Sequence, residues 1–291
     1  MTQATTDTPT YELVRDFLKL PNGEKFGLVS RVATDSRDRV YVFQRKDPPV
    51  VVFERDGTYL GAWGTGEVTD PHGLKIVDDI VYTTDRSDSV AKSFTLDGKV
   101  LLKLGQPGVH SNTGCTGSPW LAERAAGPFN HPTEMMAHPN GDIYVTDGYR
   151  NARVHRFTRD GRLVTSWGTP GHAEGQFHLP HSIAFDPEGK LYVADRANKR
   201  IQIFTPEGGF IGMWTGMGGP NDISRGKDGT FVIAEQEDGG NPAYVCVRDA
   251  KGAVLARMES RHAHGVGVDS RGDIYAGLTV DRSVDKFVRK A

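Results

Sequence analysis

The chain is 291 residues long and carries a formal net charge of -2. That length allows one or two domains, and a near-neutral chain with its Lys and Arg scattered throughout argues against a nucleic-acid surface. No apolar run approaches the ~18 residues needed to cross a membrane, residues 1–10 lack the basic start and apolar core of a signal peptide, and Cys115 and Cys246, far apart in sequence, are expected as free thiols of a cytoplasmic protein.

Residues 1–10 are Thr-rich and polar and are expected to be disordered. Residues 11–291 read as one all-β domain. Residues 11–20 form an isolated strand pattern, and Pro21-Asn22-Gly23 is a turn. A unit of about 40 residues then recurs six times, at 30–64, 71–105, 129–168, 177–214, 220–258 and 263–289. Its clearest copy alternates apolar and polar residues over 181–185, turns at Asp186-Pro187-Glu188-Gly189, and continues as strands over 191–195, 201–204 and 210–214. Four short antiparallel strands at this spacing make one blade of a β-propeller. The sixth copy has three strands, so residues 11–20 are expected to supply its outer strand. That pairing closes the ring and removes two free sheet edges.

Asp56-Gly57, Asp97-Gly98 and Asp160-Gly161 mark hairpins, because glycine takes a positive φ cheaply. Trp63, Trp167 and Trp214 end their blades and are expected to pack between neighbours. Residues 106–128 interrupt the repeat as a loop, with one helical turn expected over 121–126, and 169–176 form a shorter loop. Both belong on the face where the first strands begin, where they would wall a site.

Aligning the six first strands brings Ser30, His72, Thr133, His181, Asn221 and His264 to one position. Histidine occupies blades two, four and six. The first strand of a blade lines the central channel, so three imidazoles at one height on a threefold pattern can converge on one ion. Such a site suits zinc with an open fourth position, although imidazole also binds Fe, Cu, Ni and Co. His131, His178 and His262 fall on loops just ahead of the inner strands, His138 in a turn, His155 in an outer strand, and His110 and His172 in the two inserted loops. The second strands return to the same face and end in Gln44-Arg45, Asp85-Arg86, Asp147-Gly148-Tyr149, Asp195-Arg196 and Glu235-Gln236. Arg45 and Arg196, with Arg86 as a weaker candidate, are placed to bind a substrate carboxylate bidentately. In blade three Gly148 would permit an unusual backbone angle that aims the Tyr149 phenol at the channel.

At these residues, in DPHGLKI, PTEMMAHPNGDIYVTDGYRNARVHRF and LPHSIAFDPEGKLYVADRANKRIQIF, the chain resembles the NHL-type propeller of peptidyl-α-hydroxyglycine α-amidating lyases, over about residues 25–290. The resemblance implies zinc on His72, His181 and His264, Tyr149 as the catalytic tyrosine, Arg45 and Arg196 at the channel mouth, and cleavage of a carbinolamide to an amide and glyoxylate. Gly265 stands where that family has an aspartate directed at a structural calcium, which argues against calcium here. The disulfides and partner monooxygenase of the family have no counterpart. The expected substrate is therefore a carboxylate-bearing N-acyl-α-hydroxyglycine, a peptide or a smaller α-hydroxy acid, handled by a monomer. A metal-dependent propeller hydrolase such as a lactonase, and a non-catalytic scaffold for protein or RNA, are the alternative readings.

Overall fold

The computed structural model describes residues 8–118 and 120–290, and most of the polar N-terminal stretch expected to be disordered lies outside the described residues. Six four-stranded antiparallel sheets make a six-bladed propeller, and the only helical segments among the described residues are the single 3-10 turns Pro21–Gly23 and Arg196–Asn198. The first strands are Leu28–Thr34, Pro71–Val77, Pro132–Ala137, Pro180–Phe185, Pro220–Arg225 and Ala263–Val268. They are largely buried, whereas fourth strands such as Tyr59–Trp63 and Val100–Leu104 are mostly exposed. This gradient is what a ring of radially stacked sheets produces when the apolar faces of neighbouring blades form the core.

The ring closes as the three-strand sixth repeat requires. Thr10–Val14 pairs antiparallel with Ser283–Lys290, in register from Thr10 opposite Lys290 to Val14 opposite Lys286. The strand ends sooner than the sequence pattern suggests. Asp16 adopts a φ of 49°, and the chain leaves the sheet so that Leu18, with Phe17 and Leu20, packs among Phe26, Phe53 and Tyr275.

The blade-ending tryptophans act between blades through one repeated contact. The hairpin glycines Gly98, Gly208 and Gly252 lie under the indoles of Trp63, Trp167 and Trp214 of the preceding blade. A Cβ there would come within 2.8, 2.7 and 2.5 Å of the ring. Each of these glycines also has a φ near +90°, so both the turn and the close packing call for glycine. The expected helical turn at 121–126 is absent; those residues are irregular, with bends at Glu123 and Arg124. The shorter loop holds a two-residue parallel bridge, Thr169–Pro170 to Gln176–Phe177.

Candidate functional site

The six aligned channel positions share a backbone feature. In every blade the pairing of first and second strands shifts register at that residue: between Val29 and Arg31, Pro71 and Leu74, Pro132 and Glu134, Pro180 and Ser182, Pro220 and Asp222, and Ala263 and Gly265. Ser30, His72, Thr133, His181, Asn221 and His264 are thus the extra residues of six β-bulges. A bulge withdraws its residue from the ladder and re-aims its side chain.

The freed carbonyls then orient the histidines. His72 Nδ1 lies 2.7 Å from Thr133 O, His181 Nδ1 2.5 Å from Asn221 O, and His264 Nδ1 2.8 Å from Ser30 O. A carbonyl only accepts, so each of these contacts calls for the proton on Nδ1 and a lone pair on Nε2; at His264 the Arg31 Nη1 also lies 2.7 Å from Nδ1. Carbonyl-held imidazoles of this tautomer are the usual metal-binding form. The three rings stand 4.8 to 5.1 Å apart, centroid to centroid, nearly perpendicular to one another. One ligand nitrogen from each lies within 4.8 Å of the others. All three are buried, and burial first, then neighbouring guanidinium groups, hold them neutral by lowering each pKa well below the usual value: Arg31 for His72 and His264, Arg196 for His181. Neutral, convergent imidazoles fit a divalent transition metal.

Tyr149 and Arg196 reach the same nitrogens. The Tyr149 hydroxyl is 3.3 Å from His72 Nε2 and 3.2 Å from His181 Nε2. Arg196 Nη1 is 3.1 Å from His181 Nε2 and donates to the Tyr149 hydroxyl at 3.3 Å. The Asp195 and Asp186 carboxylates pair instead with Arg200 and Lys190. Arg45 stands on the blade-one side, with Nε 3.3 Å from Asp70 Oδ1 and donating to Pro71 O. Arg86 shares Asp70 at 2.8 Å and lies 5.0 Å from the centre of the Tyr149 ring. Asp70, unnoticed in the sequence, thus ties two guanidinium groups at the mouth.

The Asp-Arg pattern divides its labour. The Asp85, Asp147 and Asp195 carboxylates accept backbone N–H groups of Thr69, Asn130 and His178, so they strap the incoming loop to the blade. Gln44 does this for Gly27 in blade one. The following residues are delivered to the channel mouth. In blade three glycine serves close approach rather than an unusual backbone angle: Gly148 has no positive φ, and a Cβ on it would sit 2.1 Å from Pro180 O. The inserted loop closes this side, with Trp120 edge-on to Tyr149 at 5.4 Å.

Below the histidines the channel is filled by Arg31, which is fully buried. It donates to Glu134 at 2.8 Å, to the His264 carbonyl at 2.7 Å and to the His181 carbonyl at 3.2 Å. Lys75 and Asp222 join it at 2.8 Å from each other. A side chain at Gly265 would meet the Arg31 Cα at 2.7 Å. The other histidines stay apart from the centre. His155 is buried between Ser166 and Asp147, His138 bonds Gly189 O, and His110 and His131 face each other at 5.3 Å. His262 lies near Asn221 and Gln236.

Residues 177–204 match the model of the NHL repeat. The chain is a six-bladed propeller that carries an NHL repeat in its fourth blade. It is 32% identical over 222 residues to human NHL repeat-containing protein 3, covering 70% of this chain and 61% of that protein. It thus spans less than two thirds of that relative's length. It is 28% identical over 229 residues to the peptidyl-alpha-hydroxyglycine alpha-amidating lyase 1 of Drosophila melanogaster, covering 65% of this chain and 39% of that protein. Among solved structures, a gluconolactonase from Xanthomonas campestris superposes with a TM-score of 0.69 at 15% identity, over 99% of this chain and 94% of that one, which speaks for the fold alone. Among the described residues no helix is long and apolar enough to cross a membrane.

Proposed function

We propose that this propeller is a metal-dependent lyase that cleaves an N-acyl-α-hydroxyglycine to an amide and glyoxylate. The observation that carries this reading is one phenol hydroxyl within 3.3 Å of two carbonyl-held histidine nitrogens, with a guanidinium on the same group. His72, His181 and His264 would hold the ion, zinc or another divalent transition metal that imidazole binds. When bound, such an ion supplies Lewis-acid polarisation of a substrate hydroxyl.

The remaining steps belong to the chain. Arg196 and Arg45, on either side of the histidines, bind the substrate carboxylate and orient the reacting carbon. Tyr149 is the base placed to take the hydroxyl proton. The O–H electron pair becomes the carbonyl π bond of glyoxylate, the C–N bond breaks, and its pair goes to nitrogen. Nitrogen then takes up a proton, which Tyr149 is placed to return. The net change is one proton moved from oxygen to nitrogen, with no oxidant or reductant. Trp120 and the 106–128 loop shield this exchange from water on one side.

The same reading has the chain working as a cytoplasmic monomer, in keeping with the two unpaired thiols of Cys115 and Cys246. Metal analysis together with glyoxylate release from an N-acyl-α-hydroxyglycine tests it. Bound transition metal with glyoxylate is expected. Metal with lactone hydrolysis and no glyoxylate supports the hydrolase alternative, and protein without metal supports the scaffold.

A further inference from the structure

Beside the histidine centre, on the blade-one side, lies a groove of about 490 Å³ whose walls include Lys25, Arg45, Lys46 and Arg282. Its floor is Phe26, Gly27 and Leu28, and no acidic side chain lines it. The groove is built rather than incidental. Gly27 N–H is held by Gln44 Oε1 at 2.8 Å, and a Cβ on Gly27 would meet the Lys46 Cβ at 2.6 Å, so the floor sits tight against the end of Val40–Arg45. Counter-charge is scarce. Glu24 reaches Lys46 at 3.2 Å from outside, and the Asp70 beside Arg45 is shared with Arg86. Burial first, and the Arg86 guanidinium next, lower the pKa of Arg45, as expected where cations outnumber anions.

The shape of the mouth says what the groove faces. Trp120 closes the blade-three side over Tyr149, and Arg196 occupies the blade-four side against His181. Arg45 lines the groove and donates to Pro71 O, next to His72, so it is the residue that the groove shares with the histidine mouth. We infer that the groove receives the acyl part of the substrate and selects acyl groups carrying a second anionic group, a carboxylate or a phosphate. This rests on the lyase reading for what sits at the histidine end, but the charge selection belongs to the groove itself. Lys25 and Arg282, outside the catalytic machinery, set it, and Arg45 joins the two compartments.

The test uses unreactive ligands on the metal-loaded protein. N-succinylglycine, its neutral isostere N-succinamoylglycine, N-(3-phosphonopropanoyl)glycine and N-acetylglycine are titrated by calorimetry against the wild type and the Lys25→Gln/Arg282→Gln double variant. The expected result is an advantage of about tenfold for the acidic ligands over the neutral isostere, shrinking to about twofold or less in the double variant, with N-acetylglycine affinity unchanged. The tighter of the two acidic ligands names the anion. Equal affinity of N-succinylglycine, N-(3-phosphonopropanoyl)glycine and the isostere, no binding of either acidic ligand, or an advantage that survives the double variant overturns the inference. The lyase reading fails separately: charge selection intact in binding, but no glyoxylate from the α-hydroxy counterparts, retains the groove and removes the reaction.

Discussion

Replacing Tyr149 with phenylalanine removes one oxygen and little else. The ring keeps its edge contacts with His72 at 5.1 Å, His181 at 5.6 Å and Trp120 at 5.4 Å, and Arg86 still lies over its face. The lost hydroxyl makes three polar contacts of 3.2 to 3.3 Å, all long for hydrogen bonds. Their combined net worth to folding is on the order of 1 kcal/mol, well inside the 5–15 kcal/mol typical of a native domain. The variant should therefore fold and keep the three imidazoles in place, because their Nδ1 anchors are backbone carbonyls that the substitution does not touch. Losing a positioned base removes about 10²–10⁴-fold in rate. Glyoxylate release at saturating substrate, with metal content measured on the same sample, reads both quantities. A kcat within a few-fold of wild type at full metal occupancy would show that the phenol only packs beneath the inserted loop.

Other substitutions probe the remaining parts. His72→Ala, His181→Ala and His264→Ala should each lower metal content and turnover together, and full occupancy in all three would dismiss the centre. Arg196→Lys keeps the charge but loses the fork, so turnover of the carboxylate substrate should fall about tenfold or more, while equal rates on the acid and its methyl ester would remove the carboxylate role. In metal-stripped protein, stability should fall as pH drops below ~6.5. His72, His181 and His264 are held neutral well below that value by burial, and His131, lowered to about 4 by burial and Arg150, behaves likewise. The unfolded chain takes up protons there that the folded chain refuses, so each such group costs up to about 1.4 kcal/mol per pH unit until its folded pKa is reached. A thermal midpoint that stays flat from pH 7 to 5.5 contradicts this accounting.

The propeller was legible because its signals are periodic. Six copies of alternating strands, Asp-Gly hairpins and a three-strand last repeat specify the blades and the closing strand without reference to long-range contacts. The threefold histidine pattern was visible for the same reason. What the alignment did not reveal is why those six positions face the channel. Each is a β-bulge, and a bulge depends on register between two strands. One local trace existed: Pro71, Pro132, Pro180 and Pro220 directly precede four of the six positions, and proline, lacking an N–H, is tolerated in sheets at such irregularities. Gly148 was read as a torsional device, whereas it answers to the Pro180 carbonyl of the next blade. Asp70 and Trp120 were invisible because nothing in the sequence tells which loop residue folds back over the mouth.

Arg31 explains why the site opens at one end only. A guanidinium with no access to water is costly unless its charge is met. Here burial disfavours the charge, but Asp222 and Glu134 outweigh it and hold Arg31 protonated. Lys75 adds a second cation to the same two carboxylates. The group thus gathers two cationic side chains and two carboxylates beneath the histidines, with Asp222, despite its burial, held below the usual carboxylate range by Lys75 and Arg31, while burial pushes Glu134 up. The group's outward bonds go to the carbonyls of His181 and His264, so the cation that plugs the channel also fixes the strands bearing two of the three imidazoles. Gly265 follows from this arrangement, because the space a side chain there would need is taken by Arg31 itself. On the lyase reading, substrate then enters from the face that carries Tyr149, Arg196 and Arg45, where the loops and the cationic groove are gathered.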